Sequence, residues 1–397
     1  MSSWSEYGPK RWAAFGSWTV GFDFLRNNPS GNIRGCLISR CFCLAAGRAR
    51  DCKVTGDLIC FAEAAPTPLP TRGEYPLGGL GATPSNPRVR AAGILLAYCF
   101  SVLLAAALLA PGAFHVGQWA SGEVAFLKGL GTQPFHRYLN RCLLISALAG
   151  LWPLAKAFQL TNARALGLAW PGSSRRMLSF GLAVGFGSLL GAALLMALAG
   201  VRSFNFSHAP SVLLELAVNA TLSAAVVAVL EELFFRGVVF GALRQSLSLP
   251  AAILGSSVIY AALHFLARVE HNGPIAWSSG FALLPAMLAG IVTPANLAPA
   301  GLTLAVGGAV LALAYQRTGS LWFSIGLHAG WVFWLKVFKT VTSPGAHPAN
   351  AFWGTDKLLD GWLALLVMAA VFAGVARSRR LGQAAAVPDE SAPAKRT

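Results

Sequence analysis

From about residue 91 to 376 the chain alternates long apolar runs with short polar segments rich in Gly and Pro. Runs near 91–112, 141–160, 178–201, 250–267, 301–316, 320–339 and 359–376 are close to the ~20 residues that an α-helix needs to cross about 30 Å of hydrocarbon, and a run near 211–247 is longer. The stretch 281–299 is also apolar, but it contains Pro285, Pro294 and Pro299. Proline removes a backbone donor and clashes with the preceding turn, so this stretch is not counted as a full span. The pattern predicts an all-α fold, a polytopic transmembrane helical bundle of about eight spans.

Residues 1–90 read differently. Asp23 interrupts the first apolar patch, and no charged start, clean apolar run and small-residue cleavage site follow one another as in a signal peptide. Residues 66–87 hold six prolines, the composition of a flexible linker. The expected organisation is a disordered basic tail and linker over 1–90, a transmembrane domain over 91–376, and a short basic tail over 377–397.

Composition agrees with the pattern: 55% of residues are hydrophobic and 12% charged, with mean hydropathy +0.58. The formal charge of +16 raises the question of nucleic acid, and the positions of the charges answer it. Residues 1–90 carry eleven Lys/Arg against six Asp/Glu, and residues 377–397 carry five against two. Basic ends around a helical bundle follow from the positive-inside rule, and no basic stripe interleaved with aromatics points to nucleic acid. Both termini, Arg164, Arg175, Arg176 and Arg317 are therefore expected on the cytoplasmic side of the cell membrane. Cys36, Cys41, Cys43, Cys52 and Cys60 cluster near the start without metal-ligand spacing. Gly181-xxx-Gly185 and Gly187-xxx-Gly191 fit either close helix approach or ordinary membrane-helix glycine.

The chemistry lies where charge interrupts an apolar run. Glu231 and Glu232 sit side by side in Ala-Val-Val-Ala-Val-Leu-Glu-Glu-Leu-Phe-Phe-Arg-Gly-Val-Val-Phe, with Arg236 close behind. A carboxylate in hydrocarbon costs several kcal/mol, and such residues usually face a bundle interior or a cavity. Neighbours on a helix project about 100° apart, so the two acids cannot share one direction. Glu232 and Arg236 have the i, i+4 spacing of an intrahelical ion pair, which leaves Glu231 to face elsewhere. His264 and His328 lie on two other apolar segments. A lone membrane histidine is ordinarily an interhelical hydrogen bond, but a carboxylate with an imidazole can hold and deprotonate a water. A second imidazole can then stabilise an oxyanion. Counted from the assumed helix ends at ~1.5 Å per residue, the three groups lie roughly 13–26 Å deep, a wide spread for one site.

Glu231-Glu232-x-x-x-Arg236, then Tyr260-x-x-x-His264, then His328 in a Thr-Gly-Ser-Leu-Trp…Gly-Leu-His context resemble the three motifs of the CAAX-protease and bacteriocin-processing (CPBP, or Abi) membrane proteins. The resemblance covers roughly 178–340. It implies a glutamate-dependent intramembrane endopeptidase in which Glu231 activates water, His264 helps hold it, and His328 supports the oxyanion. Glu232 and Arg236 match supporting positions. Two positions depart from the family pattern. Tyr260 stands where Phe is usual, keeping the ring and adding a hydroxyl. Val332 stands where the family usually has Asn or another polar residue, and it cannot donate a hydrogen bond. Trp331, whose indole N–H is a donor, is the candidate substitute.

No cofactor is expected. There is no HExxH, and a Glu/His/His zinc site would need three helices to converge at ~2 Å ligand distances. Expected partners are a peptide or membrane-anchored protein substrate and the lipid bilayer. The competing readings are an inactive immunity or scaffold protein, favoured by Val332, and a transporter using acids as proton relays. Nothing in the sequence encodes recognition of a prenyl group.

Overall fold

The computed structural model describes residues 87–379 and 381, apart from 171, 294 and 295. The expected N-terminal tail with its cysteines lies outside the described residues up to 86, as does most of the C-terminal tail. Among the described residues nine main helices follow in order: α1 (Pro87–Glu123), α2 (Phe135–Ala157), α3 (Ser174–Leu198), α4 (Pro210–Ser246), α5 (Leu249–Leu263), α6 (Ser279–Ala289), α7 (Leu297–Thr318), α8 (Leu321–Val341) and α9 (Trp362–Arg377). Strands β1 (Arg202–Phe204) and β2 (Thr342–Pro344) pair antiparallel, with Ser203 opposite Ser343.

All eight apolar runs expected as spans are helical. Among the described residues six helices, α1 to α4, α7 and α8, are long and apolar enough to cross a membrane, and the protein is a multi-pass membrane protein. α5 and α9 have 15 and 16 residues. At 1.5 Å rise each covers roughly 23 Å, short of a full hydrocarbon crossing. α6 is shorter still and contains Pro285, in line with its exclusion as a span. Several boundaries differ from the sequence pattern: α1 runs through Pro111 to Glu123, α2 begins at Phe135, and α5 ends at Leu263.

α8 is the axis of the bundle. The apolar window of α8 is 72% buried, against 11% for α1. α8 packs on α3 along most of its length, and also on α4 and α7. Small residues permit the α3–α8 approach. A Cβ placed on Gly181 would fall on the Phe323 carbonyl oxygen, and one on Gly185 on the Leu327 carbonyl oxygen. From the other side, Gly326 meets the backbone at Leu178, and Gly330 meets the Gly185–Phe186 peptide. Gly181-xxx-Gly185 therefore does mark a helix contact, answered by Gly326-xxx-Gly330. Gly187 and Gly191 have open space where a side chain would project.

Local signals set the hairpin that leads into α8. Gly319 takes the left-handed conformation (φ 62°) and its N–H bonds the Tyr315 carbonyl, ending α7. Ser320 then caps α8 by accepting from the Trp322 N–H. The Trp322 indole donates to the Ala169 carbonyl at 2.8 Å, and Arg317 donates to the Ser378 carbonyl at 2.8 Å. Gln245 bonds the Phe158 carbonyl, and Ala91 packs with Ala155 and Phe158. The start of α1, the 158–173 connection, the α7–α8 turn and the end of α9 thus share one end of the bundle. That end carries Arg164, Arg175, Arg176, Arg317 and Arg377.

Overpacking a tight contact costs typically 1–3 kcal/mol. Gly185→Ala is therefore expected to lower the unfolding temperature in detergent, whereas Gly187→Ala, facing open space, leaves it unchanged. Thermal unfolding followed by circular dichroism separates the two.

Candidate active site

Glu231 and Glu232 lie at the point where α4 changes its winding. Regular α-helix runs from Pro210 to Glu232, and Leu233–Phe240 is π-helical before the α-helix resumes. Such bulges are rare and concentrate at functional sites, because the extra residue per turn rotates the following side chains. Both acids and Arg236 are buried.

The spacing argument for Glu232 holds in the structure. Arg236 Nη1 donates to Glu232 Oε1 at 2.9 Å, and Nη2 donates to the Gly308 carbonyl on α7 at 3.2 Å. The guanidinium also lies 4.5 Å from the centre of the Tyr260 ring, a cation–π contact. The sequence does not foretell the third partner of this pair. His328 Nδ1 lies 3.0 Å from the same Glu232 Oε1. A carboxylate accepts, so His328 donates from Nδ1, and Glu232 orients the ring.

Glu231 points the other way and lines a cavity of about 140 Å³. Its Oε2 is buried and has no hydrogen-bond partner among the described residues. Two imidazoles face it, with His264 Nε2 at 3.8 Å and His328 Nε2 at 3.7 Å. The wide depth spread counted from ideal spans does not occur. α5 stops at Leu263, leaving His264 as its C-cap beside Glu231 rather than a turn inside a longer helix. There His264 Nδ1 lies 2.8 Å from the Tyr260 carbonyl. That contact satisfies one of the orphan carbonyls of the last helical turn. It also fixes the tautomer: Nδ1 carries the proton, so in the neutral ring Nε2 is an acceptor aimed at the cavity.

The remaining sequence candidates also surround this cavity, lined in part by Tyr260, Trp331 and Val332. Val332 presents only apolar surface there and packs against Ala224 and Val227. Trp331 does not aim its donor into the cavity. Its Nε1 donates to Ser188 Oγ on α3 at 3.0 Å, and an indole has a single donor. Sequence reasoning missed Lys336, Thr303 and Met368, which share the lining. Lys336 was detectable by the same signal as the glutamates, a charge inside an apolar helix. Thr303 and Met368 carry no such signal.

Removing one member of a buried ion pair strands the other charge, at a cost of about 3–5 kcal/mol. Arg236→Met is thus expected to lower stability sharply and to shift His328, whereas Glu231→Gln retains wild-type stability. Thermal unfolding of both variants in the same detergent tests the contrast.

Residues 213–334 match the family model described as type II CAAX prenyl endopeptidase Rce1-like. No curated protein and no solved structure matches the chain. The matched segment contains Glu231, Glu232, Arg236, Tyr260, His264, His328 and Val332. At the level of that family it supports a CAAX protease-like intramembrane endopeptidase, a hydrolase acting on a peptide or protein substrate in the membrane. From α4 to α8, then, this membrane bundle is similar to Rce1-like type II CAAX prenyl endopeptidases, consistent with the CPBP resemblance of its three motifs.

Proposed function

We propose that the protein hydrolyses a peptide bond with a water held between Glu231 and His264. The observation that carries this reading is the pair of acceptors, Glu231 Oε2 and His264 Nε2, set 3.8 Å apart on the same cavity. Two acceptors do not bond each other, but a water has two protons to give and can bridge them. Such a water has its oxygen lone pairs directed into the cavity, towards a bound carbonyl.

The reaction then balances as follows. As the water oxygen bonds the carbonyl carbon, its proton passes to Glu231 and the carbonyl electron pair moves onto oxygen. When the tetrahedral intermediate collapses, the carbon–nitrogen bond breaks and Glu231 returns the proton to the departing nitrogen. His328 supports the oxyanion from Nε2 when that nitrogen carries a proton, while Glu232 holds Nδ1. No covalent enzyme intermediate and no metal is required. The site's position within an apolar bundle suits a membrane-anchored substrate.

Val332 is the specific observation favouring a second reading, an inactive member that binds peptides without cleaving them. Loss of one oxyanion donor costs about 10²–10³ in rate, slowing a hydrolase without abolishing it. For orientation, the cluster of arginines at one end of the bundle supports a cytoplasmic placement of that end and of both termini.

Glu231→Gln is expected to reduce cleavage of a prenylated CAAX peptide in proteoliposomes by about 10²–10⁴-fold, the range for a general base. Cleavage by the wild type should survive exhaustive chelation of divalent metals. Wild-type rates in the Glu231→Gln variant contradict the reading, and loss of activity on chelation with recovery on zinc addition transfers it to a metalloprotease.

A further inference from the structure

We infer that the Tyr260 hydroxyl is a second oxyanion donor of this site beside His328, taking the place of the hydrogen bond that Val332 cannot make. The inference rests on the hydrolytic reading above and identifies a further residue in it.

The inventory of donors around the cavity leads to this residue. His264 has its Nδ1 on the Tyr260 carbonyl. His328 has its Nδ1 on Glu232. Thr303 donates to the Pro299 carbonyl at 3.0 Å, and Trp331 to Ser188. Val332 has nothing to give. The other side-chain donors of the lining are the Tyr260 hydroxyl and the Lys336 ammonium. Lys336 lies eight residues beyond His328 on α8, a rise of about 12 Å along the helix. The Tyr260 hydroxyl, in contrast, is 3.5 Å from His328 Nε2, the nitrogen that faces Glu231. It is a long contact, and a phenolic proton rotates about its C–O bond, so the donor can turn from the imidazole to a developing oxyanion.

The ring is well fixed for this role. Tyr260 is 5% exposed, packs edge-on against Phe235 at 5.0 Å between ring centres, and lies against the Arg236 guanidinium. Preorganisation gives an oxyanion donor its value, because no reorientation of the surroundings is needed as charge develops. Two departures from the family pattern then become one change. A side-chain donor is lost from α8 at Val332 and gained on α5 at Tyr260, and both side chains border the same cavity.

The test uses the full-length protein in proteoliposomes with a fluorogenic prenylated CAAX peptide as probe. The variants are Tyr260→Phe, Tyr260→Phe with Val332→Asn, Lys336→Met and Glu231→Gln. Tyr260→Phe deletes one oxygen and leaves the packing intact. Its kcat is expected to fall about 10²–10³-fold with KM unchanged, the signature of an interaction made in the transition state. Adding Val332→Asn should recover most of that loss, which a merely structural tyrosine would not allow. A Tyr260→Phe variant as active as wild type, with Glu231→Gln inactive, overturns this inference alone. So does a fall in Tyr260→Phe that appears in KM only, or a comparable kcat loss in Lys336→Met with none in Tyr260→Phe. Wild type no faster than Glu231→Gln overturns the hydrolytic reading and this inference with it.

Discussion

The shared acceptor Glu232 Oε1, bonded by Arg236 from one side and His328 from the other, is the constraint on which the site depends. In an apolar bundle an uncompensated charge is costly, so separating Glu232 from Arg236 is strongly disfavoured. Their pairing ties α4 to α8 through His328 and to α7 through the Gly308 carbonyl. The geometry of three helices is thereby fixed around one carboxylate. Glu231, one residue earlier on the same helix, is turned away from this network by helical geometry alone.

The same constraint explains why α8 lies at the centre of the bundle. His328 must come within hydrogen-bond distance of Glu232, and the helix that carries it is held by backbone-to-backbone contact with α3. Gly326 and Gly330 flank His328 by two residues on each side, and both contact α3 where a Cβ has no room. Close packing and chemistry use the same turns of α8. A substitution that separates α3 from α8 therefore moves His328 as well as loosening the bundle.

Much of this was legible in the sequence, and the reasons are physical. Long apolar runs fix helices in a bilayer with little competition, so the helical bundle and the exclusion of 281–299 as a span follow from composition and proline alone. Charges within apolar runs are rare enough to point directly to Glu231, Glu232 and Arg236, and the i, i+4 spacing separates the two acids. The lengths of α5 and α9 were less legible, because a hydropathy pattern does not show where backbone hydrogen bonding ends. For the same reason the depth estimate failed at His264, which caps a short helix. The role of Trp331 depended on a neighbour 143 positions away, Ser188, and no local pattern carries such a contact. The π-helical turn after Glu232 likewise leaves no mark in an apolar stretch.

The account's central claim is that water attacks the substrate directly, with Glu231 as its base and never its nucleophile. A single-turnover cleavage in H₂¹⁸O, followed by mass spectrometry of the product and of the enzyme, tests this most directly. Direct attack places one ¹⁸O in the new product carboxylate in the first turnover and none in Glu231. An unlabelled first-turnover product, with ¹⁸O appearing in a glutamate of the enzyme, would contradict it.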